Sequence, residues 1–147
     1  MSNIRIFEVT EVNAEYVDAV NRLLVQLSSS PSLFTLEQLE EIVASHSSHL
    51  FFAECDGCVA GMLTVGGYVA PTGRKLWVED VVVDEAMRGY SIGRKLVEHA
   101  IGFANGYGKG TLMLTSRPSR VAANNLYRSC GFEPKETNMY RMPLDAE

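Results

Sequence analysis

The sequence predicts a mixed α/β domain in the order β-α-α-β-β-β-α-β-α-β-β. Three observations carry that expectation. The chain has 147 residues with 46% hydrophobic and 21% charged side chains, one domain's worth with enough apolar material for a core. Short apolar strand-like runs interchange with longer segments whose apolar residues recur at helical spacing. Breakers fall between those segments: Asp56-Gly57, Pro71 to Gly73, Gly89, Pro118 and Gly131.

Each element follows from its own residues. Ile4 to Thr10 alternates as a strand does. Across Ala14 to Leu27, Tyr16, Val20, Leu23, Leu24 and Leu27 share one helical face. "SSSPS", Ser28 to Ser32, is a loop. Thr35 and Gln38 form a capping box that opens a second helix with Leu36, Leu39 and Val43 inward. His46 and His49 follow in a serine-rich exit and are expected to be solvated. Strands His49 to Cys55 and Cys58 to Gly66 flank Asp56-Gly57, the pair that a type I′ hairpin favours. "GGYVAPTGR" reads as a loop on a substrate rim, and Lys75 to Val83 as a longer strand carrying Glu79 and Asp80. A helix from about Ser91 to Gly106 turns Ile92, Leu96, Ala100 and Ile101 inward, and Thr111 to Thr115 is a short buried strand. A last helix after Pro118-Ser119 carries Ala122, Ala123, Leu126, Tyr127 and Cys130 on one face and stops at Gly131. Strands around Phe132 to Lys135 and Thr137 to Met142 are expected to close the chain.

Composition excludes several classes. A formal net charge of -5 gives no basic footprint for nucleic acid. No apolar run reaches membrane-spanning length, and "MSNIRIFEVTEV" lacks the features of a signal peptide, so a cytoplasmic protein is expected. Of the three cysteines, Cys55 and Cys58 make a CxxC, but they flank a hairpin turn. A structural zinc needs four ligands and no second ligand pair stands at suitable spacing, so no metal is expected.

The chemistry concentrates in "VVVDEAMRGYSIGRKLVEHA", Val81 to Ala100. A strand that turns into a helix leaves unpaired N–H groups at the helix start, and these, with the helix dipole, favour an anion such as phosphate. Gly89 and Gly93 let a ligand approach the backbone. An ordinary strand-to-helix connection would carry many of the same residues. A P-loop is excluded because Gly93 is followed by Arg94-Lys95, and the dinucleotide fingerprint because its three glycines and distant acid are missing.

A second segment, "SRVAANNLYRSCGF" from Ser119 to Phe132, adds specificity. Together the two segments resemble the Gcn5-related N-acetyltransferase (GNAT) family, and the resemblance covers essentially the whole chain. Arg88 and Gly93 match the first and last positions of that family's Gln/Arg-x-x-Gly-x-Gly/Ala motif, with Ser91 at its central glycine. Ala123, Leu126, Tyr127, Gly131 and Phe132 match the later Asn-x-x-Ala-x-x-Leu-Tyr-x-x-x-Gly-Phe motif, with Arg120 at its asparagine. Serine at position 91 supplies the backbone N–H all the same. At φ < 0 it is acceptable and its hydroxyl can cap the helix; at φ > 0 it costs stability.

The resemblance implies a mostly antiparallel sheet flanked by helices and acetyl-CoA as co-substrate. It implies a pantetheine arm along Val81, Val82 and Val83, and phosphates held by Arg88, Gly89, Tyr90, Ser91, Ile92, Gly93 and Arg94. Glu79 is the candidate base that takes the proton from the amine, although period-two alternation lets only one of Glu79 and Asp80 face the cleft. Tyr127 matches the family tyrosine that donates to the departing thiolate, and a backbone N–H of Val81 to Val83 suits the oxyanion. Cys130 has no activating partner in sequence, which favours direct transfer. The expected partner is a small-molecule amine, with a peptide or protein amine, or a non-catalytic acyl-CoA-binding module, as alternatives. Last strands in such domains can also pair across a homodimer.

Overall fold

In the computed structural model, residues 3–145 are described. The elements are β1 (Ile4–Glu8), α1 (Ala14–Leu27), α2 (Leu36–Ala44), β2 (Ser48–Cys55), β3 (Cys58–Ala70), β4 (Gly73–Val83), α3 (Ile92–Asn105), β5 (Thr111–Met113) and α4 (Val121–Ser129), with a 3₁₀ turn at Glu85–Met87. The five strands lie side by side in chain order. Neighbours are antiparallel except β4 and β5, which run parallel.

Local chemistry sets the boundaries. The Asn13 side chain accepts from the Tyr16 N–H and starts α1, and the Thr35–Gln38 capping box starts α2. Asp56 (φ 50°) and Gly57 (φ 87°) form the turn between β2 and β3, which sets Cys55 opposite Cys58. At the end of α4, the Phe132 N–H donates to the Tyr127 carbonyl and the Gly131 N–H to that of Arg128, with Gly131 at φ 106°. This is a Schellman stop, and its accompanying apolar contact is Tyr127 against Phe132, ring centroids 6.2 Å apart.

The sheet separates two cores. On one face α1 and α2 bury Val20, Leu23 and Leu39 against Leu50, Phe52, Met62 and Val82. On the other, α3 buries Ile92, Leu96 and Ala100 against Phe51, Leu63, Val65, Leu76 and Val78.

Three expectations are corrected. "GGYVAPTGR" is not a loop: β3 runs on to Ala70 and β4 begins at Gly73, with Tyr68 opposite Lys75 and Gly67 opposite Leu76. Gly67 permits this, since a Cβ there would stand 2.2 Å from Leu76 Cδ2. Leu36 is exposed rather than inward, and Ile42 joins Leu39 and Val43 in the core. The two closing strands do not form within the chain. Residues 133–145 adopt no regular structure.

Candidate active site

The site is built where β4 leaves the sheet. The parallel ladder between β4 and β5 stops at Trp77–Met113, while β4 continues to Val83. Beyond Trp77 the backbone groups of β4 on its β5 side have no strand partner among the described residues. Such an open edge suits an extended, amide-bearing arm that pairs as a strand does.

After Val83 the chain is tied down on the α1 side. The Asp84 side chain accepts from the Ala86 N–H at 3.1 Å and pairs with Arg22, which also donates to the Val59 carbonyl at 2.7 Å. Gln26 Oε1 accepts from the Glu85 N–H at 2.8 Å. The next turn is left-handed at two points, Gly89 (φ 92°) and Ser91 (φ 59°, ψ 28°). Position 91 therefore lies in the region where serine is costly, and its hydroxyl makes no capping bond. The backbone is the useful part: no protein acceptor among the described residues engages the N–H groups from Gly89 to Arg94. A Cβ on Gly93 would meet only ordinary contacts, Leu126 at 3.5 Å and Val83 at 3.7 Å. Free donors at the head of a 14-residue helix suit phosphate oxygens, so the residues present fit a coenzyme A pyrophosphate.

The basic side chains near this turn divide. Arg88 is exposed and has no salt-bridge partner among the described residues. Arg94 turns to α4, donating to Ser129 Oγ and, at 3.6 Å, to Cys130 Sγ, with Glu98 at 3.7 Å. That contact, with Leu126 over Gly93, brings the two sequence motifs together.

β4 carries an irregularity at its carboxylates. Val82 pairs with Met62 and Glu79 with Thr64, so two residues of β4, Asp80 and Val81, stand opposite the single Leu63, and Asp80 adopts φ 52°. This bulge breaks the alternation that would have sent Glu79 and Asp80 to opposite faces. The two are close enough to interact. Burial, then the Asp80 charge, raises the Glu79 carboxyl above its usual range, and burial raises Asp80.

Asp80 also lines a cavity of about 300 Å³ whose walls are Leu24 and Leu27 of α1, Ser28, Ser30, Pro31, Ser32, Leu33 and Phe34 of the following loop, and Gln38 of α2. Asn21 pins that loop: its Oδ1 accepts from the Phe34 N–H and its Nδ2 donates to the Phe34 carbonyl, both at 2.9 Å.

Tyr127 is buried at 6% exposure on α4. Burial holds its phenol above the ordinary range, keeping it protonated, while the Arg120 guanidinium pulls the other way. Arg120 entered the sequence comparison only as a departure from asparagine; two helical turns before Tyr127, it falls on the same face. Asn21, Arg22, Gln26 and Asp84 carry no local motif, because their partners are distant in sequence. Of the histidines expected to be solvated, His46 is exposed, but His49 is partly enclosed, with Nδ1 2.7 Å from Glu8 and Nε2 3.1 Å from the Tyr107 hydroxyl. Both contacts lie among β1, β2 and the segment after α3. Among the described residues no group of three or more His, Cys, Asp or Glu is placed to hold a metal ion.

The open strand edge suits an extended amide-bearing arm and the turn suits phosphate; comparison with known proteins gives the family. The model of the acetyltransferase (GNAT) family matches residues 17–132. The chain belongs to that family and is an acetyl-CoA-dependent N-acetyltransferase. It is 30% identical over 146 residues to glucosamine 6-phosphate N-acetyltransferase 1 of Oryza sativa subsp. japonica, covering 92% of this chain and 84% of that one. Its fold matches an aminoglycoside acetyltransferase from an uncultured soil metagenomic sample with a TM-score of 0.84 at 18% identity, covering 97% of each chain. It matches glucosamine-6-phosphate N-acetyltransferase of Arabidopsis thaliana with a TM-score of 0.80 at 24% identity, covering 95% of this chain and 98% of that one.

Proposed function

We propose that this protein, as one catalytic domain, transfers the acetyl group of acetyl-CoA directly to the primary amine of a small molecule. The observation that carries the reading is the β4 bulge, which lies within the free strand edge and carries Asp80 of the cavity wall. Val81, Val82 and Val83 offer backbone to the pantetheine arm. Gly89, Tyr90, Ser91, Ile92, Gly93 and Arg94 offer N–H groups to the phosphates, with Arg88 supplying charge. The Arg94 side chain is engaged by α4, so its contribution is through the backbone.

The amine enters as an ammonium and is held by Asp80. Glu79, made more proton-affine by burial and then by that neighbouring charge, takes the proton. The freed nitrogen lone pair attacks the thioester carbonyl carbon, and the oxyanion is met by a backbone N–H of the Val81–Val83 segment. The nitrogen of the tetrahedral intermediate gives its second proton to water, the C–S bond breaks, and the sulfur takes a proton from Tyr127, giving a neutral amide and free coenzyme A. Reprotonation of Tyr127 from solvent, with release of the proton held by Glu79, completes the cycle.

Thiol release with a panel of amines tests the transfer. Tyr127→Phe is expected to lower kcat about 100-fold, the usual weight of a positioned proton donor, with little change in acetyl-CoA affinity. Unchanged turnover would remove Tyr127 from the reaction. Acetylation confined to peptide or protein amines would overturn the small-molecule reading.

The proposal extends to setting and assembly. The three free thiols, with Cys58 exposed opposite Cys55, suit a reducing cytoplasm. β5 pairs with β4 alone, and the segment after α4 exposes Met139, Tyr140, Met142 and Leu144. Two such edges and segments complement each other in a homodimer.

A further inference from the structure

The chemistry of the cavity wall narrows the acceptor beyond a small amine, on the reading that this cavity receives it. Among the described residues of the lining Asp80 is the only charged one; Leu24, Leu27, Pro31, Leu33 and Phe34 are apolar, and three serines and Gln38 are neutral. The elements that make the wall continue the pattern. From Ala14 to Ser48 the basic side chains are Arg22 and His46, against acids at Glu15, Asp18, Glu37, Glu40 and Glu41. Arg22 is held by Asp84 and the Val59 carbonyl.

The pocket is open to solvent, with Leu33 and Asp80 exposed, and a phosphate seated in it would meet no lysine or arginine among the described residues of the lining. The serine hydroxyls and the Gln38 amide of the lining can bond a phosphate only as neutral groups, without the stronger charge-assisted bonds that lysine or arginine would add. A phosphate seated without them stands beside the Asp80 carboxylate with no cation to offset the like charges. An ammonium has the opposite fortune: Asp80 meets the charge, and the leucines, proline and phenylalanine cover an apolar body. The volume, near the small end for ligand sites, suits a compact molecule.

We infer that the acceptor is a primary amine on an uncharged, largely apolar body, an alkyl or arylalkyl amine, rather than a phosphorylated amino sugar. This chain would then differ in acceptor from the plant relative to which it is 30% identical.

The test measures kcat/KM by coenzyme A release from the full chain with acetyl-CoA and, in turn, 2-phenylethylamine, hexylamine, glucosamine and glucosamine 6-phosphate. The expected result is that an apolar-bodied amine exceeds glucosamine 6-phosphate by at least about 100-fold, the scale on which an unpaired polar or charged group is rejected. Ser30→Arg, which adds a cation to the wall, should narrow that ratio by improving glucosamine 6-phosphate. Asp80→Asn should raise KM for the apolar amine more than KM for acetyl-CoA. A wild-type preference for glucosamine 6-phosphate would overturn the inference while leaving acetyl transfer intact. No thiol release with any amine, in protein shown by calorimetry to bind acetyl-CoA, would overturn both.

Discussion

At residue 91 a serine holds a left-handed backbone, φ 59°, without a capping bond in return. A residue with a Cβ pays for that conformation, and glycine does not. Ser91→Gly is expected to raise unfolding free energy by about 1 kcal/mol in urea titrations, with acetyl-CoA affinity retained because the N–H stays. Loss of stability would show that the serine hydroxyl does something unseen in its contacts. Glu79 poses a different residue-scale problem. Its folded carboxyl is raised by burial and by Asp80, so the folded state holds the proton more tightly than the unfolded chain. Stability is therefore greatest below the unfolded value and falls as pH rises through the interval up to the folded one. Glu79→Gln should melt higher than wild type at neutral pH, with the difference closing toward about pH 4. The same variant should flatten the alkaline rise of the pH–rate profile; if only Asp80→Asn flattens it, the two carboxylates exchange roles. The residue types at 79 and 80 were legible in sequence. Their shared locality was not, because a bulge is a property of two strands together.

Among the elements, the helix ends were the most readable, since capping chemistry is local. Thr35 and Gln38 close their box, and Gly131 takes φ 106° to close the Schellman stop on α4. Gly131→Ala meets no steric neighbour within 4 Å, so its cost is conformational, about 1 kcal/mol. Because the stop holds Phe132 against the catalytic-candidate Tyr127, kcat should fall as well; equal stability in the variant would deny the strain. Hairpin extent was harder to read. Glycines at 66 and 67 with Pro71 spell a loop by composition, yet opposite Leu76 a glycine is what allows β3 to continue.

For the whole molecule, the open edge of β5 and the exposed segment after α4 lead to a statement about assembly. Tyr140, Met142 and Leu144 recur at period two, so one side of that segment would be apolar if it extended as a strand. Sedimentation velocity is expected to show two chains per particle, and Tyr140→Asp with Met142→Asp to return it to one. A wild-type protein that sediments as one chain at every concentration tested would sink the homodimer.

By itself the sequence determined the helices, the Asp56-Gly57 turn, the order of elements through α4 and the two motifs of the family. Each depends on a residue and its near neighbours: a cap, a turn pair, an apolar period. Only the tertiary structure decided the left-handed angle at Ser91, the bulge that seats Glu79 beside Asp80, the engagement of Arg94 by α4, and the cavity wall from α1 and its loop. Those depend on which distant segments lie against each other, and spacing along one chain does not encode that packing locally.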